Sequence, residues 1–265
     1  MINYNSNYFN PTKIYLSGQV LLGWTKLPDG GYEVESAGKK AVIKEETSGE
    51  KPEVHISCPE NDNDYWSAYF DLDTDYEKIE VFAPENDEFL KKALEYGRGI
   101  RILRQDLWET LVSFIVSQNN NIPRITKSLG KIRKKAEEQG DAPGFPDPEG
   151  LYRIRESLSD CGLGYRDAYL IKLAEEVHAG LRRPEFDKDT EKAYKELLEI
   201  TGVGPKVANC VLLFGLHRME RCPVDTWMKQ VFENHYGGRK PKWTESEYAG
   251  YYQQVTFFFE RNMNK

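Results

Sequence analysis

The residues best suited to chemistry lie in the segment Leu197-Leu-Glu-Ile-Thr-Gly202-Val203-Gly204-Pro205-Lys206-Val-Ala-Asn-Cys210. A helical pattern ends at Leu-Glu-Ile. Gly202-Val203-Gly204 then turns the chain tightly, because glycine tolerates positive φ. Pro205 suits the first position of a new helix. This pattern predicts a helix-hairpin-helix whose exposed N–H groups can hold a phosphate without a basic side chain. Lys206 falls in the first turn, where the helix dipole is positive. A positive helix end together with desolvation favours the neutral amine, which is the nucleophilic form. Nineteen residues further on, Cys222-Pro-Val-Asp225-Thr-Trp227-Met places Asp225 as a helix N-cap. A carboxylate near such a lysine can stabilise positive charge developing on a sugar, or help activate the amine. The plain alternatives are an αα-corner, a solvated lysine that touches phosphate, and an aspartate that only caps.

The surrounding elements give an α+β class. Residues 12 to 82 read as β structure: KIYLSGQVLLGWTKL, GGYEVES, KKAVIKEE and EVHISC are short segments rich in Val, Ile and Tyr. Pro-Asp-Gly-Gly, Ser-Ala-Gly and Thr-Ser-Gly-Glu separate them as turns. The piece DYWSAYFDL reads as helical. From about residue 85 apolar residues recur at helical spacing in NDEFLKKALEYG, DLWETLVSFIVSQ, IPRITKSLGKIRKKAEEQG, DAYLIKLAEEVHAG and DTEKAYKELLEI. An aromatic-rich helix, TESEYAGYYQQVTFFFERN, ends the pattern. The expected organisation is a β domain with flanking helices over 1–100 and a helical region over 101–265.

The 265 residues are 39% hydrophobic and 30% charged, a soluble globular composition. No apolar run reaches the ~18 residues of a membrane span. The N-terminal residues lack the apolar core of a secretory signal. A cytosolic, nucleoid-associated or nuclear setting is therefore expected. Cys58, Cys161, Cys210 and Cys222 lack CxxC spacing, so neither a zinc site nor an iron–sulfur cluster is expected, and the thiols should be unoxidised. The net charge of −7 weighs against phosphate binding, but the acidic residues crowd the first third. Basic residues gather later, around Arg98–Arg104, Lys131–Lys135 and Arg218–Arg221, which leaves room for a basic face.

With these segments in order, the chain resembles the helix-hairpin-helix–Gly/Pro–Asp superfamily of DNA glycosylases, and within it the 8-oxoguanine DNA glycosylase/AP lyases. The hairpin with Lys206 and Pro223-Val-Asp225 carry the superfamily likeness. The branch likeness rests on Tyr15-Leu-Ser-Gly18-Gln19, Leu103-Arg-Gln-Asp106, Ser117-Gln-Asn119-Asn-Asn121-Ile-Pro-Arg124, Gly162-Leu-Gly-Tyr165-Arg166 and Tyr248-Ala-Gly-Tyr-Tyr-Gln253. The fold this implies is an N-terminal antiparallel β-sheet domain packed on a mainly helical helix-hairpin-helix glycosylase body. The implied reaction is attack of Lys206 on C1′ of a flipped nucleotide, Schiff-base formation and β-elimination.

The resemblance also implies roles. The Gly18 carbonyl would accept the N7–H that 8-oxoguanine has and guanine lacks. Gln253 would read the Watson–Crick edge, and Phe257 and Cys210 would sandwich the base. Plain core packing is the alternative for both Phe257 and Cys210. Asn119 would fill the gap in the duplex, while Arg124 and Arg166 would contact the orphaned partner base. Gly202, Val203 and Gly204 would hold phosphate. Main-chain carbonyls of Leu198, Ile200 and Val203 would bind a structural monovalent cation, with no cofactor required. The implied partner is double-stranded DNA containing 8-oxoguanine opposite cytosine, bound by a monomer away from any membrane.

Two departures stand out. After Gln19 the family usually continues with an aromatic, Arg and Trp, whereas this chain reads Val20-Leu-Leu-Gly23-Trp24. Trp227 stands where relatives place a histidine, beside the flipped nucleotide. The competing readings are a glycosylase of the same superfamily for another damaged base and a non-catalytic hairpin that only holds DNA. Many alkylation enzymes lack the lysine, and the pyrimidine enzymes commonly carry a four-cysteine cluster. A binding module leaves Lys206 and Asp225 without a joint purpose.

Overall fold

The computed structural model describes residues 1–46, 52–183 and 185–263, so the expected Thr-Ser-Gly-Glu turn lies outside the described residues. The elements run β1 (Ile2–Asn5), α1 (Pro11–Leu16), β2 (Trp24–Lys26), β3 (Tyr32–Ser36), β4 (Lys39–Glu46), β5 (Glu53–Ser57), α2 (Asn63–Tyr69), α3 (Tyr76–Val81) and α4 (Glu88–Gly97). They continue as α5 (Leu107–Val116), α6 (Ile122–Glu138), α7 (Pro148–Arg153), α8 (Arg166–His178), α9 (Thr190–Leu198), α10 (Pro205–Phe214), α11 (Thr226–Tyr236) and α12 (Ala249–Met263).

These elements form two compact units. The first holds residues 1–34, 40–104 and 217–265, and the second holds 35–39 and 105–216. The chain passes into the second unit after residue 104 and returns to the first at residue 217. The expected continuous 101–265 region is divided, however, because α11 and α12 return to the first unit. Helical periodicity shows which face of a helix is apolar but not which core receives it.

In the first unit the sheet has the order β1-β5-β4-β3-β2. Ile2 pairs with Ile56, Ile43 with Ile56 from the other side, and Trp24 with Val34. Alternate residues Tyr32, Val34, Ala41, Ile43, Val54 and Ile56 enter one core with Phe9, Ile14, Trp66 and Phe70, as a period of two requires. Part of the expected β region is helical. KIYL lies in α1, because Asn10 accepts from the Lys13 N–H at 2.8 Å and Pro11 opens the helix. DYEKIEV likewise becomes α3 under the cap of Asp75. β1 has no local strand signal in the sequence, because its partner β5 comes much later in the chain, with Ile2 opposite Ile56.

Arg101 organises the linker after α4. Fully buried, it donates to the carbonyls of Phe70, Tyr8, Asp71 and Thr74 and lies 4.3 Å from the Tyr76 ring centroid. Burial raises the Asp71 carboxyl pKa. His217 at 3.2 Å, Tyr76 at 2.8 Å and Arg104 at 2.8 Å outweigh that and hold it below the ordinary value.

In the second unit, Glu109 on α5 accepts from the Ala37 N–H at 3.0 Å and Ser36 Oγ at 3.4 Å, which anchors the β3–β4 turn. Burial, reinforced by the charge of Asp106, pushes its carboxyl up to about 7. The folded state therefore holds this proton more tightly than the unfolded chain. Stability contributed by Glu109 is present below the unfolded value of 4.5 and is lost as pH rises to about 7. In urea melts, wild type should lose roughly 2 kcal/mol more than Glu109→Gln between about pH 5 and about pH 8. Parallel pH dependence in the two proteins would refute this.

Candidate active site

In the second unit, Asp189 caps α9 by accepting from the Lys192 N–H at 2.9 Å. Past Leu198 the chain tightens through Val203 N–H to the Ile200 carbonyl at 2.9 Å. Gly202 has φ +86°, and a Cβ there would lie 2.3 Å from the Tyr169 ring. Both backbone sign and space therefore require glycine. Gly204 is the extended N-cap of α10, and Pro205 follows at its start. No side chain caps this helix, so its first turn lacks a side-chain acceptor. The hairpin expected from the sequence is present.

Lys206 sits in that first turn, half-buried, with Nζ 5.1 Å from the Phe114 ring centroid. Phe114 in turn stacks on Phe214 at 5.5 Å between centroids. These aromatics form an apolar bed beside the amine, which sequence reasoning had not identified. Cys210 follows one turn along α10 and is buried. No disulfide joins the four cysteines.

The same unit gathers Asn119, Arg124, Tyr165 and Arg166. Asn119 is exposed, with φ +44°, and its Nδ2 donates to Tyr165 Oη at 3.4 Å. Arg166 is buried and lies over the Tyr165 ring at 4.5 Å. Its guanidinium donates to the carbonyls of Gln118 (Nε, 2.7 Å), Asn119 (3.0 Å) and Leu163 (2.8 Å). Arg166 thus braces the left-handed Asn119 turn, while the exposed Arg124 head is freer to reach outward, near the Gly162 carbonyl at 3.5 Å. Tyr165, half exposed between them, belongs to this cluster although only its motif had been noted.

In the first unit, Asp225 caps α11 and accepts from the Met228 N–H at 2.9 Å. Trp227 follows, half-buried. Gly18 has φ +90°, and a Cβ built on it would lie 3.0 Å from Phe257 Cε1 and 3.0 Å from Arg261 Nη1. The Gly18 loop is tied down on both sides. Gln254 donates to the Ser17 carbonyl at 2.7 Å, and Gln19 bridges the Arg101 carbonyl (2.9 Å) and the Leu103 N–H (3.0 Å). Gln253 is buried on the same helix as Phe257. The divergent Val20 and Leu21 are buried, with Val20 in the sheet core, and Gly23 turns the chain at φ +80° toward β2. Sequence reasoning missed Arg261, whose signal was its spacing of four residues from Phe257.

Among the described residues no group of three or more His, Cys, Asp or Glu side chains could hold a metal ion. No helix there is long and apolar enough to cross a membrane.

Comparison with known proteins agrees with this arrangement. Residues 1–111 match the family model of the 8-oxoguanine DNA glycosylase N-terminal domain, and residues 112–251 that of the HhH-GPD superfamily of base excision DNA repair proteins. A probable N-glycosylase/DNA lyase of Methanothermobacter thermautotrophicus is 34% identical over 200 residues, covering 64% of this chain and 62% of that relative. The chain thus spans less than two thirds of that relative's length. The solved structure of MBOgg1 with a low-affinity DNA ligand is 31% identical, with a TM-score of 0.86 over 100% of both chains. The Clostridium acetobutylicum 8-oxoguanine glycosylase/lyase, solved with DNA containing cytosine opposite 8-oxoguanine, is 29% identical, with a TM-score of 0.85 over 100% of this chain and 99% of that one. The chain belongs to the HhH-GPD superfamily of base excision DNA repair proteins, in the branch that carries the 8-oxoguanine DNA glycosylase N-terminal domain.

Proposed function

We propose that the chain is a bifunctional DNA glycosylase/AP lyase that excises 8-oxoguanine paired with cytosine in duplex DNA. The observation that carries this reading is Lys206: a half-buried amine in the first turn of a helix without a side-chain cap, directly after the Gly202–Gly204 turn. Backbone N–H groups around Gly202–Gly204 hold a DNA phosphate. The target nucleotide must leave the stack, because C1′ and the lesion edges are shielded within it. Lys206 Nζ then forms a bond to C1′ as the N-glycosidic bond breaks and the base departs with its electron pair. Asp225 offsets the positive charge on the sugar. The amine gives up a proton that neutralises the departing base, and breaking C1′–O4′, with a proton from solvent taken up at O4′, gives the protonated Schiff base. Loss of a 2′ proton and of the 3′ phosphate then completes β-elimination.

Selectivity comes from the Gly18 carbonyl, which accepts N7–H, and from Gln253 at the Watson–Crick edge, with the ring between Phe257 and Cys210. Asn119 enters the vacated stack and Arg124 reads the widowed cytosine, both supported by the turn that Arg166 braces. Trp227 contacts the flipped nucleotide. One copy of the chain suffices. A monovalent cation at the carbonyls of Leu198, Ile200 and Val203 would stiffen the hairpin. Ile200 O keeps a second lone pair beside its bond to Val203 N–H, and Leu198 ends α9, where carbonyls lack helical partners.

The test is borohydride trapping on duplexes carrying 8-oxoguanine, an alkylated purine or an oxidised pyrimidine. A covalent complex is expected with 8-oxoguanine, strongest opposite cytosine. Trapping with none of the three would refute the lysine mechanism, and trapping only with another lesion would refute the lesion assignment.

A further inference from the structure

Gln253, Phe257 and Arg261 recur every four residues on α12 and so share one face. The stripe covers about 12 Å of helix axis. Two of its polar atoms are buried without a partner: the acceptor Gln253 Oε1 and the donor Arg261 Nε. Gln253 is only 5% exposed. A buried polar atom left unpaired costs about 1–3 kcal/mol, so two on one stripe call for an explanation. The rest of the Arg261 head is fixed. It donates to the Leu16 carbonyl, lies 5.2 Å from the Phe257 ring centroid and has its Nη1 3.0 Å from where a Cβ on Gly18 would stand. Gly18 therefore packs against the Phe257–Arg261 part of the stripe.

We propose that Arg261 is a specificity-determining residue whose Nε–H donates to the carbonyl oxygen at C8 of the oxidised purine. This rests on the 8-oxoguanine reading and extends it. Along its long axis 8-oxoguanine presents donors (N1–H and the 2-amino group), then the ring, then N7–H beside C8=O. The stripe presents an acceptor, then an aromatic face, then a donor beside the Gly18 carbonyl. A base stacked on Phe257 with N7–H at Gly18 brings C8=O to Arg261 and its donors to Gln253, so both orphaned atoms gain partners. Guanine has C–H at C8 and leaves Arg261 unsatisfied, which adds a second penalty to the one Gly18 imposes. Asp225 offers Arg261 another role, because its charge opposes the lowering of the Arg261 pKa by burial. The experiment must separate the two.

Single-turnover rates should be measured for wild type and Arg261→Met on 8-oxoguanine, on 8-thioguanine (which keeps N7–H but presents the weaker acceptor C8=S) and on a preformed abasic site. Arg261→Met is expected to slow 8-oxoguanine excision about tenfold or more, the scale of one charged hydrogen bond. The wild-type preference for 8-oxoguanine over 8-thioguanine should largely disappear in the variant, and Arg261→Lys should restore part of it. The rate decrease at the abasic site should be several-fold smaller. An unchanged oxo-to-thio ratio, or equal decreases with and without a base, would overturn the proposal. So would wild type treating both bases alike, a result that needs no folded variant. Absence of 8-oxoguanine excision by wild type would overturn the underlying reading and this proposal with it.

Discussion

Lys206→Gln should still bind a duplex containing 8-oxoguanine, yet form no borohydride-trapped complex and excise base at least about a thousandfold more slowly. Removal of a covalent nucleophile costs on this scale, because the remaining groups cannot supply the bond it forms. The fold should tolerate the change. Glutamine is of similar length and helix propensity. The substitution removes a terminal amine whose Nζ lies 5.1 Å from the Phe114 ring centroid, a contact worth at most about 1 kcal/mol. The N–H groups of the hairpin, to which the proposed mechanism assigns the phosphate, come from the backbone and survive. Gel-shift binding, a urea melt and single-turnover excision on one preparation read all three consequences. Excision at the wild-type rate would move the nucleophile elsewhere.

Asp225→Asn and Asp225→Ala should separate the two tasks of this residue. Its carboxylate caps α11 by accepting from the Met228 N–H at 2.9 Å. Asparagine caps about as well as aspartate, whereas alanine forfeits the cap at about 1 kcal/mol. Asp225→Asn should therefore melt within a few tenths of a kcal/mol of wild type, and Asp225→Ala measurably lower. Both should lose excision by roughly a hundredfold or more, since neither carries the charge that offsets the sugar cation. A fully active Asp225→Asn would reduce the residue to a cap. Equal destabilisation in both variants would show that the cap depends on charge rather than on an oxygen acceptor.

Much of this site was legible in the linear chain because its geometry is local. The hairpin lies within fourteen residues. Positive φ at Gly202, proline at the first helical position and an aspartate cap each follow from backbone sterics and nearest-neighbour hydrogen bonds. The Ser-Ala-Gly turn and the alternation in β3, β4 and β5 were readable for the same reason. KIYL was not, because its β-prone side chains concealed a helix that the preceding Asn10-Pro11 cap starts. Arg166 shows the limit for a side chain. Its motif marked it as a contact for the opposite base, while the structure engages its guanidinium with three main-chain carbonyls.

Residue types and short spacings by themselves determined that this protein has a helix-hairpin-helix turn, a lysine in the first turn of its second helix and a carboxylate that caps another. Only the tertiary structure decided that α11 and α12 return to the N-terminal unit. It alone placed Gly18 against Phe257 and Arg261, more than two hundred residues away in the chain, and left Gln253 and Arg261 each with a buried atom unpaired. The physical reason is range. Local sterics act over about one helical turn, whereas the core that an apolar face joins depends on surfaces supplied by distant segments.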